Sequence, residues 1–246
     1  MKRLVTVVTG GGRGIGTAVC RRLADEGHDV VVGYVHDAET AEAVAADVVA
    51  AGARGVAVRA DTSVEADVDR LFGTAEKRLG PITALVNNAG VTGPLGRLAD
   101  ADPADLRRVV EVDLLGALLC SRRAVQLMAP RGNGAIVNVS SAAATLGAPG
   151  EYVHYAAAKA AVDAFTVGLA KELGPDGIRV NAVAPGLVDT GIHEAMGDPD
   201  RVRRMAAAVP LGRAAQAEEI AAAVAWLLSP DASYVSGAVL RVSGGR

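Results

Sequence analysis

Thr9-Gly10-Gly11-Gly12-Arg13-Gly14-Ile15-Gly16 follows the apolar run Leu4–Thr9 and leads into a stretch rich in Ala, Leu and Arg. Glycines between a strand and a helix let the chain turn sharply, bring backbone close to a pyrophosphate and pack the helix against the strand. The helix N-terminus then offers unpaired N–H groups and a positive dipole end to phosphate oxygens. The spacing is T-G-x-x-x-G-x-G rather than G-x-G-x-x-G, and no Gly-Lys-Ser/Thr follows, which excludes a P-loop. A glycine cluster alone is a weak signal. Its place between a first strand and a first helix makes Gly10, Gly12, Arg13, Gly14, Ile15 and Gly16 a candidate phosphate cradle.

Outward from this turn the chain alternates. Short β-branched runs occur at Leu4–Thr9, Asp29–Tyr34, Gly55–Arg59, Ile82–Asn87, Ala135–Ser140, Arg179–Val183 and Val239–Val242. Stretches of helical periodicity lie between them, at about 14–27, 38–52, 64–79, 103–129, 153–173 and 216–228. The strand runs are almost continuously apolar, as when helices cover both faces of a parallel sheet. Strand alternating with helix is the doubly wound α/β pattern. A length of 246 residues allows one large domain or two small ones. Six βα steps and a last strand fill the chain with no linker and no repeat, so residues 1–246 are expected to form a single domain around a seven-stranded parallel sheet. The segment about 186–215 reads as irregular, rich in Asp, Gly, Pro and Arg, and longer than an ordinary βα connection. It is expected to be a flexible lid or substrate loop.

Composition removes several function classes. Half the residues are hydrophobic, the net charge is −3 and aromatics make up 3%. The chain is therefore too apolar for disorder, lacks a basic face for a phosphate backbone and has few rings on which to stack bases, so nucleic acid is not an expected partner. The apolar run after Met-Lys-Arg is shorter than a secretory h-region, and no run approaches the ~18 residues of a membrane helix. A cytoplasmic protein without a membrane partner is expected. Cys20 and Cys120 form no CxxC and read as small buried hydrophobes. The four histidines are scattered, and no metal is expected.

Tyr155 and Lys159 are four residues apart in a helical stretch and so share a face. Tyrosine's ordinary pKa of about 10 is too high for efficient proton transfer near neutrality, and an ammonium beside it favours the phenolate. Asp61-Thr62, Asn87-Asn88-Ala89-Gly90, Asn138-Val139-Ser140-Ser141 and Pro185-Gly186 follow in order, each at the end of an expected strand. With the glycine turn and Tyr155-Ala156-Ala157-Ala158-Lys159, this set resembles the short-chain dehydrogenase/reductases, in their compact single-domain branch. The likeness runs over essentially the whole chain.

The resemblance implies a doubly wound Rossmann fold and a nicotinamide cofactor. Tyr155 would be the general acid in reduction and the base in oxidation. Lys159 would lower its pKa and hold the nicotinamide ribose. Ser141, with Ser140 as the alternative, would hydrogen-bond the substrate oxygen. Asp61 and Thr62 would meet the adenine, and Asn88, Ala89, Gly90, Pro185, Gly186, Val188 and Thr190 would complete the cofactor contacts. One position departs from the pattern. Relatives carry asparagine in the helix after strand four, where a kink lets its backbone carbonyl hold a relay water, and this chain has Asp113. Aspartate keeps the acceptor and loses the amide donor, so a catalytic and a purely structural role both stand.

These residues point to an oxidoreductase that moves a hydride between the nicotinamide and a small ketone, sugar or 3-oxoacyl compound or the corresponding alcohol. The alternative is a non-catalytic dinucleotide-binding regulator on the same fold. An NAD site usually places an acid at the end of strand two, where this chain has Tyr34. Arg13, assisted by His36, would pair with a 2′-phosphate, while Asp37 reads as a helix cap. NADP(H) is therefore preferred, with NAD(H) possible. The pocket walls are expected from 91–96, 145–154 and 187–208. The apolar helix 103–129 predicts a homotetramer of the kind relatives form. An acid at Asp176, where carrier-protein reductases resemble one another in having a base, argues against an acidic carrier protein as partner, although Arg131 stands as another positive site.

Overall fold

The computed structural model describes residues 3–246. β1 (Val5–Val8) runs through the glycine turn into α1 (Gly14–Asp25), and β2 (Asp29–Tyr34), α2 (Ala38–Ala50), β3 (Gly55–Arg59) and α3 (Glu65–Leu79) complete the first half. The second half holds β4 (Ala84–Asn87), α4 (Pro103–Val109), a π-helical turn (Val110–Leu115), α5 (Gly116–Met128), β5 (Gly134–Val139), α6 (Ala143–Leu146) and α7 (Val153–Leu173). β6 (Ile178–Pro185), α8 (Ile192–Ala195), α9 (Arg201–Met205), α10 (Ala217–Leu228) and β7 (Val239–Val242) close it. The seven strands form one sheet in the order β3-β2-β1-β4-β5-β6-β7, and every pairing is parallel. This is the doubly wound Rossmann arrangement.

Period-two alternation sorts the strand side chains into two cores. Val8, Val30, Val32, Val86, Val137 and Val139 pack under α1, α2 and α10. Val7, Val31, Leu85, Ile136 and Val180 face the other way, against α3, α5 and α7. Both faces of the central strands β2, β1, β4, β5 and β6 are thus covered, which is why these strands read as unbroken apolar runs. Among the described residues no helix is long and apolar enough to cross a membrane, and no group of three or more His, Cys, Asp or Glu is placed to hold a metal. Cys20 and Cys120 are both buried and unpaired.

Two regions differ from the reading of periodicity. The expected helix 103–129 is broken by the π turn at 110–115. One reason lies at its exit. A Cβ on Gly116 would meet Thr62 Oγ1 at 2.6 Å, so the backbone passes against the loop after β3. The segment 186–215 is not irregular throughout. It contains α8, α9 and a 3₁₀ turn at Ala206–Ala208, and Val188 bridges Ala215 in parallel fashion. Helices of four and five residues are too short for a 3.6-residue period to register, and α6 escapes for the same reason.

Candidate active site

The strand order reverses at β1, which lies between β2 and β4. In such sheets the crevice beyond the carboxyl ends of the strands takes the ligand. Every motif read from the sequence opens onto that edge. Gly10 and Gly14 adopt φ of 62° and 52°, in the left-handed region that favours glycine. A Cβ on Gly16 would lie 2.2 Å from the Gly10 carbonyl oxygen and 2.6 Å from Asn88 Nδ2, so no other residue fits without opening the turn.

Asn88 is the strut of this cradle. Its Nδ2 donates to the Thr9 and Gly10 carbonyls at 3.0 Å each, while Thr9 Oγ1 accepts from the Asn88 and Ala89 N–H groups, also at 3.0 Å. Arg13 occupies the cap position of α1 without a side-chain cap hydrogen bond, and its side chain is exposed. The leading N–H groups of α1 are therefore uncapped by protein and fit an anionic group. Thr190 lies over the turn, 3.4 Å from where a Gly14 Cβ would stand. Val188 is buried. Gly186 presses on Ser243, whose Cα would meet an added Cβ at 2.7 Å.

Beside the turn, where the Gly11 N–H donates to the Gly33 carbonyl at 2.8 Å, Tyr34 is half-buried at the end of β2 and His36 is exposed. Asp37 caps α2, accepting the Thr40 N–H at 2.9 Å. Asp61 accepts from Ser63 N and Oγ on one oxygen and from Arg108 on the other, at 3.0 Å. These partners hold its carboxyl below the usual range against the opposing effect of burial. Thr62 is buried beneath Gly116.

Tyr155 and Lys159 project from one face of α7 toward the same edge. Lys159 Nζ lies 5.6 Å from the centre of the Tyr155 ring and donates to the Val139 carbonyl at 2.9 Å. Ser141 follows β5, and its Oγ accepts the Ala143 N–H at 3.1 Å. Ser140 turns away, donating to the Lys159 carbonyl at 3.4 Å. Burial pushes the Tyr155 phenol up from its ordinary pKa, Lys159 and the Ser141 hydroxyl pull it down, and Asp113 pushes it up again.

Asp113 is fully buried within the π turn, with Oδ1 3.0 Å from Lys159 Nζ and Oδ2 accepting the Val91 N–H at 3.0 Å. The Oδ1 contact is a close ion pair rather than an aligned hydrogen bond. Its side chain thus reaches the lysine. Gly90 sits against the pair: an added Cβ would meet Asp113 Oδ1 at 2.8 Å and Nζ at 3.4 Å. Burial raises the Asp113 carboxyl. Burial alone would lower Lys159, but the charges of Asp113 and Tyr155 outweigh it and raise the ammonium.

Sequence reasoning missed a second group beside Tyr155. Arg201 of α9 is buried and reaches Glu151 through two hydrogen bonds, at 3.0 and 2.6 Å. It also donates to the Tyr152 hydroxyl at 3.0 Å and lies 5.4 Å from the Tyr152 ring centre. Tyr152 in turn meets Tyr155 edge-on, 5.5 Å between centroids. His154 Nε2 stands 3.0 Å from the Thr92 carbonyl, and the Gly96 N–H donates to the Glu151 carbonyl. The segments 91–96, 145–154 and 187–208 thus meet around Tyr155. No spacing signal marks an Arg–Glu pair fifty residues apart.

Comparison with known proteins agrees with this geometry. Residues 10–246 match the family profile described as Enoyl-(Acyl carrier protein) reductase. The chain is 46% identical over 244 residues to cis-4-hydroxycyclohexanecarboxylate dehydrogenase of Sinomonas cyclohexanicum, covering 98% of this chain and 95% of that one. It is 42% identical over 245 residues to the uncharacterized oxidoreductase YgfF of Escherichia coli K12, covering 98% and 99%. Identity is 38% over 242 residues to a 3-oxoacyl-[acyl-carrier-protein] reductase of Synechocystis, covering 98% and 96%. Among solved structures, levodione reductase superposes with a TM-score of 0.92 at 36% identity, over 100% of this chain and 97% of that one. A blue fluorescent protein from a metagenomic library, in complex with NADPH, gives 0.90 at 36% identity over 98% and 97%. With one fold and relatives matched end to end, the chain belongs to the short-chain dehydrogenase/reductases and is an NAD(P)-dependent oxidoreductase.

Proposed function

We propose that the protein interconverts a small carbonyl compound and its alcohol, with Tyr155 exchanging the proton at the substrate oxygen. The observation that carries this is the meeting of Tyr155, Lys159 and Ser141 at the sheet edge beside an uncapped helix N-terminus. A nicotinamide bound there supplies or accepts the hydride at the carbonyl carbon. The glycine turn and the α1 N–H groups hold its pyrophosphate, and Thr190 closes over them. Ser141 Oγ orients the substrate oxygen, and Lys159 favours the phenolate by its charge. Asp61, Thr62, Asn88, Ala89, Gly90, Pro185, Gly186 and Val188 shape the remainder of the cofactor crevice.

NADP(H) is the proposed preference. Tyr34 puts no negative charge at the end of β2, and Arg13 is exposed with no ion pair among the described residues. A guanidinium there suits a 2′-phosphate through paired, charge-assisted hydrogen bonds. His36 is exposed on the same side of the crevice. The complex of the structural neighbour with NADPH is in keeping with this reading.

Free carbonyl and hydroxyl compounds, or coenzyme A esters, are the proposed substrates in preference to carrier-protein thioesters. Asp176 is exposed, and Arg131 turns its guanidinium to the Ile82 carbonyl with Glu76 at 3.9 Å. Neither offers an unpaired cation to an acidic carrier. A cytoplasmic homotetramer completes the reading: Val110 and Leu115 on the π turn, and Trp226, Tyr234 and Val239 near the last strand, all expose apolar surface. Light scattering at micromolar concentration checks the tetramer, and a monomer contradicts it. Turnover across a panel of ketones, sugars and 3-oxoacyl compounds with both cofactors tests the function. A lower KM for NADPH than for NADH is expected; the reverse order overturns the preference. Failure of every carbonyl and alcohol, with cofactor binding intact, would return the regulator reading.

A further inference from the structure

We propose that Asp113 is a positioning residue that works through Lys159 and sets the pH at which Tyr155 gives up its proton. The inference rests on Tyr155 as the proton-exchanging group and goes beyond that reading. An asparagine at this position would hold the local backbone and carry no charge. Asp113 instead sets a buried carboxylate 3.0 Å from Lys159 Nζ, both side chains being at most 5% exposed.

Few charges compete there. Around Lys159 stand Asp113 on the π turn, Tyr155 and Asp163 on its own helix, and the Val139 carbonyl on β5. Asp113 is faced by Lys159, by the Val91 N–H and more distantly by Arg108 of α4, which is engaged with Asp61. Tyr155 is faced by Lys159, Asp113, the Ser141 hydroxyl and Tyr152. Asp163 is half-buried beside the Ser140 hydroxyl and feels the Lys159 charge from beyond ion-pair distance.

The carboxylate acts twice. It anchors the ammonium, so Lys159 is held between Oδ1 and the Val139 carbonyl. It also offsets part of the positive charge that Tyr155 feels. An anionic neighbour disfavours the phenolate, so Asp113 holds the Tyr155 midpoint higher than an uncharged residue would. Gly90 leaves no side chain between loop and pair, and an added Cβ would strike Oδ1. The ammonium and carboxylate are therefore in direct contact, where a neutral amide would leave the lysine only the more distant charge of Asp163.

The test compares Asp113→Asn with the unaltered protein by ultraviolet titration of tyrosinate absorbance. Tyr155→Phe identifies which of the four tyrosines supplies the step. The variant's Tyr155 midpoint is expected about one pH unit lower, the order of shift one nearby charge produces. Asp113→Ser should shift it the same way, and thermal melts establish that both variants are folded. The acid limb of kcat/KM for alcohol oxidation should move down with the tyrosinate step, giving higher oxidation rates below the midpoint. An unmoved or raised midpoint in the folded variants overturns the proposal, as does a lower rate with an unchanged pH profile, which a merely structural role would give. The titration needs no turnover. A protein inactive on every carbonyl would break the assignment of function, and the tyrosinate shift would still be read.

Discussion

The two flanks of Tyr155 are built from different materials. On the cofactor side the surface is backbone: glycines at 10, 14 and 16, a helix N-terminus without a cap, and an asparagine that ties two loops together. On the proposed substrate side it is long side chains: Arg201 on Glu151 and Tyr152, and His154 on the Thr92 carbonyl, linked across 49 to 62 residues. A backbone surface of this kind suits a pyrophosphate and tolerates almost no change. A side-chain surface is re-cut by single substitutions and is where relatives acting on different substrates are expected to diverge.

Substitutions should break the two flanks in different ways. Gly16→Ala should do most damage, because its Cβ would lie 2.2 Å from a backbone oxygen that cannot rotate aside. Cofactor affinity, followed by fluorescence titration with NADPH, is expected to fall by about 10²-fold, the scale on which displaced binding groups act. Unchanged affinity would mean that the turn is not the cradle. Arg201→Ala should leave the turn intact and loosen the opposite wall. Losing hydrogen bonds to Glu151 and Tyr152 should cost about 1–3 kcal/mol and lower the Tm by several degrees. The substrate KM should rise while the cofactor Kd holds. A change in cofactor Kd as large as that in KM would merge the two flanks into one.

Arg13→Ala sharpens the comparison within the cofactor side. Its charge-assisted hydrogen bonds to a 2′-phosphate are worth about 1.5 kcal/mol, close to tenfold. The KM for NADPH should rise by that factor while that for NADH stays put, and equal changes in both would remove Arg13 from the phosphate. The smallest effect is expected at Asp176→Arg, an exposed site outside both flanks. Free substrates should be turned over at the same rate, with kcat/KM for a carrier-linked 3-oxoacyl substrate rising modestly and falling again with added salt. No salt-dependent change would make the position neutral.

The same contrast explains what could be read from the sequence. β2, β3 and β7 stand at the residues the apolar runs mark, and α7 spans 153–173 as its periodicity requires. β2 is buried along almost its whole length, while β3 and β7 lie at the sheet edges, partly exposed, and were marked by their β-branched residues. The glycine turn was legible because left-handed backbone at Gly10 and Gly14 and the close approach at Gly16 demand glycine there. Tyr155 and Lys159 were legible because one helix fixes their spacing. The π turn at 110–115 was not: six residues carry no period of their own, and the approach of Gly116 to Thr62 at its exit joins segments far apart in sequence. Nor was the direct contact of Asp113 with Lys159, which joins two helices. The Arg201–Glu151 pair depends on how a segment of short helices folds back, and arginine and glutamate are too common to mark it.

The central claim is that Tyr155 exchanges the proton while the backbone surface beside it holds the cofactor. Tyr155→Phe keeps the ring that packs against Tyr152 and removes only the hydroxyl. Steady-state turnover of this variant, with NADPH affinity measured on the same preparation, is the most direct test. The account predicts kcat lower by roughly 10²–10⁴-fold, the usual contribution of a general acid or base, with the cofactor Kd nearly unchanged. Turnover within a few-fold of the unaltered protein would place the proton transfer on another residue and contradict it.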